Sequence, residues 1–200
     1  MNYKIPEFLK LCREIAVNSK INDPVRLREV LTRHQANLEA RIERNGLGVA
    51  MDRLASYYSN SGQYDEQRRG LTYYRFVTGL VNNYEENSPQ IIKNLLETAG
   101  TLFKKSNLEI AVTASDKDLD RLIREISLFT GSLLEGSSEF SDYSFDFAAK
   151  NEGITSASKV QYVIQGYDFK KLGYDYTGHM VVMNQILSRS YLPEKIRLMG

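Results

Sequence analysis

Apolar residues recur at helical spacing through most of the first half of the chain. From Pro6 to Lys20 the series Phe8, Leu9, Leu11, Cys12, Ile15 and Ala16 predicts an amphipathic helix, with proline in the first turn, where its missing N–H is not needed. Asp23 is placed to cap a second helix that has Pro24 at its first position. Its stripe of Leu27, Leu31, His34, Leu38 and Ile42 marks a packing seam, while arginines and glutamates take the other faces. Asn45, Gly46 and Gly48 interrupt this pattern, as a bend or a close contact would require. Helical spacing resumes through Val49, Met51, Leu54 and Tyr58 and breaks again at Ser59 to Gly62. A third helix is expected from about Asp65 to Tyr84, carrying Leu71, Tyr74, Phe76, Val77, Leu80 and Val81. Ser88 and Pro89 then open a fourth, which buries Ile91, Ile92, Leu95, Leu96, Leu102 and Phe103.

The period then changes. Asn107 to Ala114 alternates Leu108, Ile110 and Val112 with polar residues and predicts a strand. Ser115 begins a helix with Asp116, Asp118 and Asp120 near its N-terminus, where the helix dipole favours negative charge. Leu119, Leu122, Ile123, Ile126 and Phe129 form its inward face. Residues 135–150, rich in glycine, serine and acidic side chains, read as a linker. A second alternating run, Ile154 to Gln165, predicts another strand. Thr177 then caps a helix through Met180, Val181, Met183, Ile186 and Leu187, and Pro193 starts a short one. The expected class is α+β, with helices predominating over residues 6–105 and forming a partial sandwich on an incomplete β-sheet. The expected units are 1–134 and 151–200, joined by 135–150.

Composition narrows the choice of partner. The 200 residues carry 26 Lys and Arg against 25 Asp and Glu, a net charge of +1, which gives no general attraction to nucleic acid or to an anionic membrane. The single cysteine, Cys12, allows no internal disulfide and suits a reducing, cytoplasmic setting. Its place in an apolar helix face makes it a structural thiol. No apolar run is long enough to span a membrane as a helix, and the first residues lack the charged and apolar regions of a signal peptide.

Candidate chemistry is sparse. His34 and His179 are the only imidazoles and are far apart in sequence, whereas a catalytic zinc takes three protein ligands. His34 lies in the stripe of the second helix and reads as a seam residue. Glu85 with Glu86, and Asp116 with Asp118, read as surface and cap charges rather than an acid–base pair. No dinucleotide fingerprint, Walker-type loop, nucleophile elbow or cysteine pair is present. Among the 13 tyrosines, Tyr57, Tyr58, Tyr73, Tyr74, Tyr174 and Tyr176 either line a peptide-binding wall or bury their rings with the hydroxyl at the core's edge.

Three segments resemble the presequence-protease subfamily of pitrilysin-type zinc peptidases. Ala40 to Leu80 looks like a helical stretch of the third of four homologous domains, Asn107 to Ser115 like that domain's closing strand, and Gly166 to Gly200 like the opening of the fourth. In the last segment Arg197, Leu198, Met199 and Gly200 match an Arg-x-x-Gly that leads into Gly-Ala-Tyr-Gly in the family. His179 begins His-Met-Val-Val-Met where the catalytic half of the family has His-x-x-Glu-His. Val182 and Met183 then stand in place of the base and the second ligand, so no metal is expected on this chain. The resemblance implies a fragment of the non-catalytic C-terminal half of a zinc metalloendopeptidase, inactive alone. Residues 1–134 would be the back half of a third domain and 151–200 the start of a fourth. Zinc would be held by the N-terminal half, and the implied partners are that catalytic half and unfolded peptides. Arg197 would be a substrate-binding residue, with exposed edges favouring self-association. A free-standing helical protein–protein interaction module and an independent hydrolase are the other readings.

Overall fold

The computed structural model describes residues 4–137, 142–148, 150–157 and 159–198, and the side chains of all of these except Lys117, Arg121 and Arg197. Eight α-helices account for most of the described residues: α1 (Ile5–Asn18), α2 (Pro24–Arg44), α3 (Gly46–Ala55), α4 (Asn60–Arg69), α5 (Leu71–Asn82), α6 (Tyr84–Leu102), α7 (Asp116–Thr130) and α8 (Gly178–Ile186). After α8 the chain continues through π-helical turns at Leu187–Tyr191 and Pro193–Leu198.

Local chemistry sets several of these boundaries. The Asp23 carboxylate accepts the Arg26 N–H at 2.9 Å and starts α2, as its sequence position predicts. The break at Asn45 to Gly48 is both a bend and a close contact. Asn45 closes α2 and accepts the Gly48 N–H at 3.3 Å to start α3, while the Tyr162 ring lies over Gly46, 2.7 Å from where a Cβ would stand.

The expected third helix is two helices. Ser59 caps α4 by accepting the Gly62 N–H at 3.0 Å, and the chain turns extended at Gly70 before α5 begins. The fourth helix starts earlier than Ser88 and Pro89 suggest. Asn83 and Tyr84 open it, and Pro89 lies inside it. Tyr84 anchors that start, because its ring is buried and its hydroxyl donates to the Pro24 carbonyl at 2.6 Å. Of the inward residues expected on α6, Ile91 is buried, whereas Leu95, Leu96, Leu102 and Phe103 are exposed.

Helix α5 packs against α2, α4 and α6, and α3 against α2 and α4. The core of this cluster is Leu38, Val49, Tyr57, Leu71, Val77, Tyr84 and Ile91. Helices α1 and α7 pack on each other as a pair, with Leu9, Leu122, Ile126 and Phe129 half-buried.

The α+β expectation needs correction. Among the described residues there is no β-strand, and the predominantly helical part of the expectation is what holds. Residues 108–114 and 154–165 are extended or irregular where they are described. The only bridge pairing among the described residues joins Lys104 to Leu134, beside the bond from the Lys105 N–H to the Leu134 carbonyl at 3.0 Å. Alternation marks a chain suited to a pleated surface, but a strand also needs a neighbour at hydrogen-bonding distance. Neither run has one among the described residues.

Candidate functional site

A buried polar cluster joins α3, α4 and α5 to the extended stretch around residue 152. Arg53, on the last turn of α3, is its centre. The guanidinium Nη1 donates to Glu66 Oε1 at 2.9 Å and to Thr72 Oγ1 at 3.2 Å, whereas Nε and Nη2 donate to the two oxygens of Glu152 at 2.7 and 3.1 Å. Tyr57, one turn further along, donates its hydroxyl to Glu152 Oε2 at 2.6 Å, and its ring lies 5.5 Å from the guanidinium.

Glu66 is nearly inaccessible, with 2% of its side chain exposed. Its Oε1 accepts the Thr72 N–H at 2.8 Å and the Thr72 hydroxyl at 3.0 Å. This carboxylate therefore caps the N-terminus of α5, satisfying a donor that the helix itself cannot satisfy and meeting the positive end of its dipole. The other oxygen, Oε2, is buried without a hydrogen-bond partner, and it fills the space a side chain at Gly70 would need: a Cβ there would lie 2.1 Å away.

The electrostatics follow the contacts. Hydrogen bonds from Arg53 first, and from Tyr57 second, hold the Glu152 carboxyl down to about 2. The bond to Glu152 raises the Arg53 guanidinium above its already high value, against the opposing effect of burial. Burial, reinforced by the bond to Glu152, raises the Tyr57 hydroxyl.

Beside this cluster runs an open groove of 440 Å³. One wall is α3, with Val49, Ala50 and Leu54; the other is the extended chain around Ile154, Tyr162 and Ile164. Arg53, Tyr57, Lys150 and Glu152 are among the polar residues of its lining. The second wall is also tied down where Tyr58 donates its hydroxyl to the Gly166 carbonyl at 2.8 Å and Leu54 packs under Gly166.

The residues singled out from the sequence lie mostly outside this cluster. His34 forms a 3.0 Å hydrogen bond through Nε2 to the Tyr73 hydroxyl within the seam of α2 and α5. His179 lies in the first turn of α8. Among the described residues no three His, Cys, Asp or Glu side chains come together as a metal site requires. Glu85 pairs with Arg28 at the surface, and Asp118 accepts from Ser115 Oγ at 2.7 Å. Cys12 is half-buried and unpaired with any other cysteine. Tyr57 is buried and Tyr58 half-buried, and both use their hydroxyls, whereas Tyr174 and Tyr176 are exposed. Arg197 lies in the turn Pro193–Leu198; its side chain, and Met199 and Gly200, fall outside the described residues.

Sequence reasoning passed over Glu66 because α4 is polar almost throughout and carries no apolar stripe, and over Arg53 and Glu152 because they lie 99 residues apart. One signal was available. Gly62, Glu66 and Gly70 recur at a spacing of four, which places a carboxylate between two residues without side chains, along a line where helices pack closely.

Comparison with known proteins bears on the same region. Residues 1–80, which include α1 to α4 and most of α5, match the family described as associated with peptidases of family M16, subfamily C. Over 182 residues, 90% of the chain, it is 24% identical to Presequence protease 1, chloroplastic/mitochondrial, of Arabidopsis thaliana, covering 17% of that protein. The chain is thus similar to M16 peptidases and to a part associated with them. Protein HypA of Clostridium perfringens is 28% identical over 200 residues, all of this chain and 20% of that protein. The chain thus spans about a fifth of the length of the curated relatives it matches. No solved structure matches it.

Proposed function

We propose that this chain is a non-catalytic portion of the C-terminal half of a zinc-dependent metalloendopeptidase that degrades unfolded peptides, and that it helps to enclose and orient those peptides. The observation that carries the reading is the match of residues 1–80 to a family associated with M16 peptidases, together with the likeness, over 90% of the chain, to a presequence protease. The donor set agrees with a supporting role. A histidine held by a tyrosine in a helix seam and another followed by Val182 and Met183 leave the metal to the N-terminal half of the larger enzyme. In this reading that half and unfolded peptides are the partners.

The groove beside α3 supplies a surface of the right kind. It combines apolar walls with an arginine, a lysine and a tyrosine, which suits an extended peptide that must be held without being cut. Arg197 is the second proposed contact. A guanidinium keeps its charge at any working pH and donates to peptide carbonyls or to a carboxylate.

The reading is tested by extending the reading frame on both sides. It requires His-x-x-Glu-His several hundred residues upstream and Gly-Ala-Tyr-Gly directly after Gly200; a frame with neither sinks it. The reading as a helical interaction module draws on a separate observation, the exposed Phe8, Leu11 and Ile15 on α1. That face also favours self-association of the isolated chain. Light scattering at high concentration is expected to find oligomers, and monomer alone would count against it.

A further inference from the structure

Arg53 serves two carboxylates that are held in different ways. Towards the helices, Nη1 is fixed by Glu66 and Thr72, groups belonging to α4 and α5. This sets the plane of the guanidinium independently of whatever lies on its other side. Towards the groove, Nε and Nη2 form a fork with the parallel geometry that a carboxylate fits, and the Tyr57 hydroxyl supplies a third donor to the same group.

The present occupant of the fork comes from outside the helical cluster. Glu152 belongs to a stretch that is neither helix nor strand, and 24% of its side chain is exposed, against 2% for Glu66. It lines the 440 Å³ groove, as does Lys150, and Arg75 is close enough to act on its charge. Arg53, Arg75 and Lys150 are thus three cations set against the carboxylates of Glu66 and Glu152.

We infer that Arg53 and Tyr57 form a preset carboxylate receptor in which Glu152 is a displaceable internal ligand, and that a peptide entering the groove places its own carboxylate on the same donors. The inference rests on the peptide-enclosing reading above and adds a recognition feature to it. The exchange is of one carboxylate for another, so the donors stay satisfied and the charge of the cluster is unchanged. Because Glu152 is tethered, it competes at an effective concentration on the order of millimolar. The unaltered chain therefore binds such peptides weakly, and the receptor is uncovered by removing the charge of residue 152.

The test is calorimetric titration of the full chain and of its Glu152→Gln variant with three short unstructured peptides. One has an internal Glu and an amidated end, one has Gln there with a free C-terminal carboxylate, and one has Gln with an amidated end. The E152Q variant is expected to bind at least one carboxylate-bearing peptide about tenfold or more tightly than the unaltered chain, with no gain for the neutral peptide. Comparison of the two charged peptides tells an acidic side chain from a chain end. Adding Tyr57→Phe to E152Q is expected to reduce the gain, and adding Arg53→Lys to abolish it.

An equal gain for the neutral peptide, or none for any peptide while the helical circular dichroism is retained, would overturn the receptor. Neutral-peptide binding by both proteins without carboxylate dependence would leave the enclosing role standing and this inference refuted. Binding of no peptide by either protein would count against both.

Discussion

Replacing Arg53 by methionine separates the role of this residue from ordinary packing. Methionine keeps the length of the aliphatic stem and removes four hydrogen bonds, two to Glu152 and one each to Glu66 and Thr72. The consequences for the two carboxylates differ. Glu152, partly exposed, keeps the Tyr57 hydroxyl and turns to water, whereas Glu66, 2% exposed, keeps its charge in the interior with only the two donors of Thr72. Removing one partner of a buried pair costs about 3–5 kcal/mol. In a domain of this size each kcal/mol lowers the melting temperature by about 2–4 °C, so R53M is expected to melt roughly 6–20 °C lower. Adding Glu66→Gln removes the stranded charge and keeps an acceptor for the Thr72 N–H. The R53M/E66Q double variant is therefore expected to recover at least half of the loss. Thermal melts followed by circular dichroism, arranged as a double-mutant cycle, measure this. A cost below about 1 kcal/mol for R53M, or additive losses in the double variant, would refute the view that the penalty is the uncompensated charge of Glu66.

Acid should loosen the contact between the helices and the extended stretch. The Glu152 carboxyl titrates near 2 in the folded chain against an ordinary 4.5, so its contribution is present above about 4.5 and is lost as the pH falls from there towards 2. Hydrogen exchange across that window is expected to open residues 150–157 before α2 to α5 in the unaltered chain and to lose this pH step in E152Q; an unchanged step in the variant would assign it to other groups. Gly62→Ala introduces a Cβ 2.4 Å from the Ala55 carbonyl oxygen, a backbone atom that cannot rotate away. It is expected to cost about 1–3 kcal/mol in a thermal melt, and an unchanged melting temperature would mean that α3 and α4 can separate freely.

Much of the helical framework was legible because it rests on local rules. Asp23 before Pro24, the stripe from Leu27 to Ile42, and the acidic start of α7 each combine a cap or dipole signal with helical spacing. The boundaries missed depended on distant groups. Gly70 ends α4 because the Glu66 carboxylate occupies its side-chain space and caps α5, and α6 starts at Tyr84 because that ring reaches Pro24. The two expected strands failed for a related reason. Alternation at 107–114 and 154–165 marks extended chain, but pairing depends on a neighbour that a local pattern cannot specify. The Arg53 cluster was least legible of all. Its carboxylate partners are 13 and 99 residues away along the chain, and nothing local distinguishes Arg53 from a solvated arginine.

The central claim is that this chain supports peptide cleavage by another part of a larger enzyme and performs none itself. It is tested most directly by measuring hydrolysis of an unfolded peptide with this chain alone, with the metal-bearing half of the larger protein alone, and with the complete protein. The account predicts no hydrolysis by this chain, with or without added zinc, and efficient hydrolysis only by the complete protein. Zinc-dependent hydrolysis by this chain alone, or full activity of the other half without it, would contradict the account.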